Sequence, residues 1–146
     1  MPADILVVDA NILIRGVLGV RVRGLLEHYA DVVRFFAPDI AFADAHEHLP
    51  RILHKRGMSP TDGLAVLETL HRFVEDLDVA LYALQEAEAR QRLRSRDEED
   101  WPILASALVL GSPIWTEDVD FFGAGVATWT TDRVDIFLER AGVTSC

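Results

Sequence analysis

One stretch of the sequence decides the fold, and it reads RDEEDWPILASALVLGSPIWTEDVDFF from Arg96 to Phe122. Its middle is an almost wholly apolar run at 103–110, which Gly111 and Pro113 separate from a second short run, Ile114 to Thr116. This pattern predicts a helix, a turn and a short buried strand. Because a helix that is apolar nearly all round is buried, we expect it to lie against a sheet.

Acidic residues stand at both ends of this stretch. Four occupy positions 97–100, just before the predicted helix, and two more, Asp118 and Asp120, follow the predicted strand. These positions place carboxylates at a helix N-terminus and beyond the C-terminal end of a strand. In open α/β sheets that edge is where binding sites and catalytic sites lie.

The first strand is predicted at Ile5 to Val8, four apolar residues of which three are β-branched. Such a run is typical of a central strand in a parallel sheet, buried on both faces. Asp9 and Asn11 follow it directly. From spacing alone, Asp9 is equally well interpreted as the N-cap of the next helix or as a site residue.

The rest of the chain alternates between apolar helical periodicity and short β-branched runs, which predicts an α/β fold with a parallel sheet. Pro50 is expected to break or kink its helix. Strands are predicted at Val32–Ala37, Val79–Tyr82 and Val126–Trp129, and helices at 12–18, Val20–Tyr29, Asp39–Leu49, from Pro60 onward, Leu84–Arg94 and Val134–Arg140.

The helix that begins at Asp39 offers two candidate acids. At 100° per residue, Asp44 falls at the edge of the apolar arc, whereas Glu47 falls nearly opposite it. We therefore interpret Asp44 as the site residue and Glu47 as a solvated surface charge. His46 and His48 are better explained as surface residues than as metal ligands.

Composition limits the class of protein. The 146 residues predict one domain, 1–146, and the 24 acids against 14 Lys and Arg give a formal charge of −10. This balance disfavours a protein that binds nucleic acid through general positive charge. The single cysteine, Cys146, the absence of a signal-peptide pattern and the absence of a run of about 20 apolar residues predict a cytosolic protein without a membrane span.

The densest basic cluster contains four arginines in seven residues. One interpretation is a solvated helix face with charge pairs one turn apart. The other is a weak RNA-contacting patch. The cluster consists of Arg90, Arg92, Arg94 and Arg96.

Taken together, the acids predict a metal site. Asp9 and Asp118 follow strands, Asp100 begins a helix and Asp44 lies on a helix edge, so a parallel sheet with the first strand central can bring them together. Carboxylates gathered without a basic partner cannot all ionise stably unless cations are bound. Hard oxygen ligands select Mg²⁺ or Mn²⁺, and such ions support the attack of water on phosphate.

Three motifs resemble those of PIN domains, nucleases that include VapC-type toxins. They are VVDANIL at 7–13, RDxxDWPILAxAL…PIWTxDxDF at 96–121 and GVATWTTD at 125–132. The resemblance covers nearly the whole chain. It implies a three-layer α/β/α sandwich with a central parallel sheet of four to five strands, and an acid cluster that binds Mg²⁺ or Mn²⁺ and cleaves single-stranded RNA.

The same resemblance assigns roles residue by residue. The family's second acid is usually a glutamate, and its place holds Asp44, which is one methylene shorter, so Glu47 is the fallback. The implied catalytic and metal-binding acids are Asp9, Asp44, Asp100 and Asp118, with Asn11, Glu47, Asp97, Thr116 and Asp120 as additional candidates.

Two functions remain open at this point. The first is a ribonuclease, which in this family is most often the toxin of a toxin–antitoxin pair. A neighbouring reading frame for a small partner with a basic, arginine-bearing C-terminal segment would support the toxin role. The second is an inactive PIN-fold module that binds RNA or protein. The resemblance also implies a homodimer. A haloacid-dehalogenase-like phosphatase is disfavoured, because Asn11 replaces the second acid of its DxD motif.

Overall fold

The computed structural model describes residues 4–144 and contains one parallel sheet of five strands. The strands lie in the order β3-β2-β1-β4-β5, so the first strand is central, as the sequence predicts. Their bounds are β1 Asp4–Val8, β2 Val33–Pro38, β3 Val74–Leu77, β4 Ile114–Trp115 and β5 Thr128–Trp129.

Eight α-helices connect and cover these strands within residues 4–144. None of them is both long enough and apolar enough to cross a membrane. They are α1 Ala10–Leu18, α2 Val20–Tyr29, α3 Asp39–Lys55, α4 Pro60–Thr69, α5 Val79–Tyr82, α6 Glu86–Arg92, α7 Trp101–Leu110 and α8 Val134–Thr144.

The helices form a layer on each face of the sheet. Helix α3 packs on β2 and β3 and also contacts α1 and α4, whereas α7 packs on β1, β2 and β4 and contacts α5 and α6. Helix α7 is buried along most of its length, which agrees with its almost wholly apolar sequence. The architecture is therefore the predicted three-layer α/β/α sandwich.

The register of β1 and β4 is the feature that positions the site. Val7 pairs with Ile114 and Val8 with Trp115, in parallel. Asp9 and Thr116, the residues that follow each strand, therefore emerge side by side at the carboxyl edge of the sheet. These two strands are therefore neighbours, and the acids that follow them lie at one edge.

The predicted third strand was wrong. Val79–Tyr82 forms helix α5, and the strand lies earlier, at Val74–Leu77. The error came from extending the apolar periodicity of the preceding helix as far as Val74, although α4 ends at Thr69. Asp78 then begins α5 because its carboxylate accepts the backbone N–H of Ala80.

Pro50 does not end its helix, because α3 continues to Lys55. The side chains of Leu49 and Leu53 are fully buried on either side of the proline, and this packing outweighs the one backbone hydrogen bond that proline cannot make. The Leu84–Arg94 helix is shorter than predicted, since a 3-10 turn at Ala83–Gln85 precedes α6. The last strand is limited to Thr128–Trp129.

Candidate functional site

Asp9 is held by two hydrogen bonds at the carboxyl edge of the sheet. Its Oδ1 accepts the backbone N–H of Ile12 at 2.9 Å, so it is the N-cap of α1. Its Oδ2 accepts the hydroxyl of Thr116 across the β1–β4 pair. With 6% of its surface exposed, Asp9 is a buried carboxylate held from both sides.

Asp118 lies on the loop after β4, and local hydrogen bonds fix its backbone. Its N–H donates to Thr116 Oγ1 at 2.9 Å, and its own Oδ1 accepts the N–H of Asp120 at 2.9 Å. A 3-10 turn, Val119–Phe121, follows and brings Asp120 back toward the sheet edge. The TxDxD sequence is thus a compact turn that presents two carboxylates.

Asp100 stands at the beginning of α7, but its side chain makes no capping hydrogen bond to that helix. Its Oδ2 is buried and has no hydrogen-bond partner within the described part of the chain. Asp97 instead caps the short turn before α7, because its Oδ1 accepts the N–H of Glu99 at 3.0 Å. A buried carboxylate oxygen without a donor is costly unless a ligand satisfies it.

Asp44 and Glu47, the two candidates for the second acid, differ in their positions relative to the pocket. Asp44 is half-buried and lines the pocket at the sheet edge, whereas Glu47 is exposed and does not line it. His48, one turn after Asp44, also reaches the pocket wall. His46 is exposed outside it.

A pocket of about 220 Å³ brings the four predicted acids together. They come from four separate regions of the sequence, so the fold and not local spacing assembles them. The lining residues with carboxylate or amide side chains are Asp9, Asn11, Asp44, Glu99, Asp100 and Asp118.

The tightest carboxylate set differs from the predicted one. Carboxylate oxygens of Asp97, Asp100 and Asp120 lie within 4.8 Å of one another. Within residues 4–144, this is the only set of three His, Cys, Asp or Glu side chains whose ligand atoms come that close together. The sequence offered Asp97 and Asp120 only as additional candidates. In the structure both lie close to Asp100, which also lines the pocket. The acid cluster therefore extends from buried Asp9 to exposed Asp97.

Electrostatics at the site oppose ionisation. Burial raises the pKa of Asp9 to about 6, despite its two hydrogen bonds, and the nearby carboxylates of Asp118 and Glu117 contribute to the rise. Burial and the charges of Asp118 and Asp97 also hold the pKa of Asp100 well above its usual range. Burial likewise raises the pKa of Asp44.

The residues present fit a divalent cation. Most of the strong ligands that line the pocket are carboxylates, His48 adds one imidazole, and one carboxylate oxygen, Asp100 Oδ2, lacks a donor within residues 4–144. Cations favour the charged form of carboxylates that otherwise repel one another. Hard oxygen donors of this kind suit Mg²⁺ or Mn²⁺, and Asp100 belongs both to the pocket and to the close set with Asp97 and Asp120.

Three of the four clustered arginines contact the protein itself. Arg92 donates to the carbonyl of Ala124 and Arg96 to that of Asp120, each at 3.0 Å. Arg90 pairs with Glu86 at 2.8 Å and lies over the Trp101 ring at 5.2 Å. The side chain of Arg94 is exposed.

Two glycines make room for this arrangement. Gly123 and Gly125 have φ of 81° and 87°, a region that other residues rarely adopt. A Cβ on Gly125 would come within 2.6 Å of Arg92 Nη1, and one on Gly123 within 3.3 Å of Arg96 Nη2. Arg92 and Arg96 therefore clamp the loop that carries Asp118 and Asp120.

Sequence reasoning did not single out Glu99 or Glu117. Glu99 lines the pocket, and its signal was its place in the acidic run 97–100. Glu117 lies between Thr116 and Asp118, and its Oε2 accepts the backbone N–H of Thr131 at 2.6 Å. Only the structure reveals that this bond ties the loop after β4 to the segment after β5.

Comparison with known proteins gives a family and a fold. The family model described as PIN domain matches residues 7–139. The solved structure of VapBC2 from Rickettsia felis bound to a DNA fragment from their promoter is 15% identical, covers 86% of this chain and 98% of its own, and has a TM-score of 0.68. FitAB bound to the IR36 DNA fragment is 20% identical, with coverage of 86% and 94% and a TM-score of 0.56. No curated protein gives a significant sequence match.

Proposed function

The chain belongs to the PIN-domain family, and we propose that it is a metal-dependent endoribonuclease that cleaves single-stranded RNA. PIN domains are in general metal-dependent nucleases. The observation that carries the proposal is the pocket in which Asp9, Asp44, Asp100 and Asp118 meet. A stable fold does not require four acids from distant regions to share one pocket, since their mutual repulsion is unfavourable.

In this proposal Mg²⁺ or Mn²⁺, when bound, supplies Lewis acidity for the attack of water on phosphorus. Asp9, Asp100 and Asp118 would hold the ion, with Asp44 as a further ligand. Thr116 hydrogen-bonds both the Asp9 carboxylate and the backbone N–H of Asp118, and so fixes their relative positions. Asn11, exposed on the first turn of α1, lies at the pocket wall, where its amide can hydrogen-bond to the substrate.

The inactive binding module is the second candidate, and one observation favours it. Asp44 stands where the family usually has a glutamate, and its shorter side chain reaches less far into the pocket. A site with a weakened second ligand could still bind RNA or protein without turnover. The two candidates differ in one measurable property, which is metal-dependent cleavage.

A toxin role and an antitoxin partner belong to the same proposal and rest on the resemblance to VapC-type toxins. A small antitoxin with a basic, arginine-bearing segment would complement the acidic pocket. The neighbouring reading frame and co-purification test this partner. The expected homodimer is tested by sedimentation or light scattering.

The decisive assay compares wild type with Asp9→Asn on a mixed pool of single-stranded RNA and on single-stranded DNA of matched sequence, with Mn²⁺ and with chelator. Wild type should cut RNA only with metal, and Asp9→Asn should lose at least about a thousandfold in rate, because it removes a ligand of the ion that promotes the attack. If wild type leaves all RNA intact with metal, the binding module is favoured. If Asp9→Asn cuts as fast as wild type, the assigned site is wrong.

A further inference from the structure

A second and larger depression adjoins the acidic pocket. It has a volume of about 630 Å³ and lies between α1, the start of α2 and the end of α3. Asn11 and Ile14 line both depressions, so the two are continuous around the first turn of α1. We call this depression the arginine groove, because Arg15, Arg21 and Arg56 all line it.

The arginine groove is positive in a strongly negative protein. All but two of its lining residues come from two segments, 10–26 and 48–61, that contain no Asp or Glu. Together these segments hold six of the fourteen Lys and Arg residues of the chain, which are Arg15, Arg21, Arg23, Arg51, Lys55 and Arg56. Because α1 packs against both α2 and α3, the fold brings the two acid-free segments together.

The guanidinium groups of the groove are largely free to bind a ligand. Within residues 4–144, the side chains of Arg15 and Arg56 make no hydrogen bond and no ion pair, and both are exposed. Arg21 donates one Nη2 bond to the carbonyl of Thr131 and keeps its other donors. Glu117 is the only acid in the wall, and its carboxylate already accepts the N–H of Thr131.

We propose that the arginine groove binds the phosphate backbone of single-stranded RNA and leads it to the acidic pocket. This inference rests on the proposed function and names the surface that holds its substrate. Carboxylates around the scissile phosphate attract no RNA by themselves, so affinity has to come from cations nearby. Arg15 lies one helical turn, or about 6 Å along α1, from Asn11 at the pocket wall, so it can supply such a cation.

RNA fits the groove better than an acidic protein segment does. The groove is continuous with the acidic pocket at Asn11 and Ile14, and RNA carries the phosphodiester on which the proposed reaction acts, whereas an acidic protein segment does not. The alternative basic surface is the cluster on and after α6. There Arg90, Arg92 and Arg96 already contact the protein, and Arg94 is the one member of the cluster whose side chain makes no hydrogen bond or ion pair within residues 4–144.

The test measures the binding of a labelled single-stranded RNA in chelator, so that no turnover occurs. Arg15→Gln with Arg56→Gln should weaken binding at least tenfold at about 100 mM salt, and should reduce the slope of log K against log salt by roughly 0.7 per arginine. The remote control, Arg34→Gln with Arg72→Gln, changes the charge equally on exposed residues away from the groove. It should bind RNA like wild type.

Two further measurements separate the groove from the metal site. With Mn²⁺, the groove variant should raise KM and leave kcat nearly unchanged, since the groove binds substrate and transition state alike. Its Mn²⁺-induced rise in Tm should equal that of wild type. Arg94→Gln represents the rival surface and should weaken RNA binding less than the groove variant does.

Several outcomes would overturn the inference. If the groove variant binds RNA as tightly as wild type, or no more weakly than the remote control or Arg94→Gln, the groove is not the RNA path. If a polyglutamate peptide binds the groove as tightly as RNA of equal charge, the groove is a protein-docking site. If wild type cleaves RNA but the groove variant binds RNA as wild type does, only this inference is wrong and the proposed function stands. RNA binding through the groove without metal-dependent cleavage removes the proposed function instead.

Discussion

Thr116 donates its hydroxyl hydrogen to Oδ2 of Asp9 and thereby ties the end of β4 to the end of β1. The same hydroxyl oxygen accepts the backbone N–H of Asp118 at 2.9 Å. Thr116 is fully buried, so neither bond competes with water. One side chain therefore positions two of the acids that the proposed metal site needs.

Thr116→Val should weaken Mn²⁺ binding about 10- to 100-fold, because partners that orient metal ligands typically contribute that much. The substitution keeps the shape but leaves Asp9 Oδ2 and the Asp118 N–H without their partner. Thr116→Ser, which keeps the hydroxyl, is the matched control and should stay within a few-fold of wild type. Equal affinity of the Val and wild-type proteins in calorimetry would remove Thr116 from the site.

The pH dependence of stability follows from the raised pKa of Asp9, about 6 in the folded chain against 3.8 for an unperturbed Asp. Between these values the folded state binds more protons than the unfolded state, so the free energy of unfolding falls as pH rises. In chelator, wild type should lose up to about 3 kcal/mol between pH 4 and pH 8 from this group.

The measurement is urea unfolding of wild type and Asp9→Asn across this range. Asp9→Asn removes the titrating carboxyl, so its curve should be flatter and it should be more stable than wild type at pH 8. Adding Mn²⁺ at pH 8 should stabilise wild type more than the variant. If the free energy of unfolding changes equally with pH in the two proteins, the pKa of Asp9 is not raised in the folded chain and this prediction is wrong.

Asp44 should act as the second acid and Glu47 should not. Asp44→Asn should reduce both Mn²⁺ affinity and RNA cleavage, because Asp44 lines the pocket, whereas Glu47→Gln alters only an exposed side chain. Asp44→Glu should bind Mn²⁺ at least as tightly as wild type, since the longer side chain reaches farther. Loss of metal binding in Glu47→Gln with full binding in Asp44→Asn would reverse the assignment.

The arginine clamp should control metal binding through the loop after β4. Arg92→Gln with Arg96→Gln removes the bonds to Ala124 and Asp120, and Mn²⁺ affinity should fall about tenfold. Hydrogen exchange in 117–126 should accelerate at the same time. Arg72→Gln, which changes an exposed arginine elsewhere, is the control, and equal exchange in both variants would contradict the clamp.

The parts of the fold that the sequence predicted are those with long, uniform patterns. Ile5–Val8 and the apolar run at 103–110 are buried over most of their lengths, so their periodicity reports their environment directly. The strand at Val74–Leu77 was missed because only its two end residues are buried. A four-residue strand at the edge of a sheet carries too little pattern to be separated from the helix before it.

The site residues also fall into those whose position the sequence predicted and those whose position it did not. Asp9 and Asp118 follow strands, so their position at the sheet edge is visible in the sequence. The closeness of Asp97 to Asp120 depends on two short turns, and the roles of Arg92 and Arg96 depend on backbone carbonyls 32 and 24 residues away along the chain. Contacts to backbone carbonyls leave no side-chain signature, and a single sequence therefore shows such arginines only as charges.

The most direct measurement is anomalous X-ray diffraction from crystals of the wild-type protein soaked in Mn²⁺. We predict a manganese peak in the pocket, bound by carboxylate oxygens of Asp9, Asp100 and Asp118, with Asp44 in direct or water-mediated contact, and no such peak in Asp9→Asn. A well-ordered pocket with no manganese, or manganese held only outside these carboxylates, would contradict the proposed metal centre and the nuclease mechanism built on it.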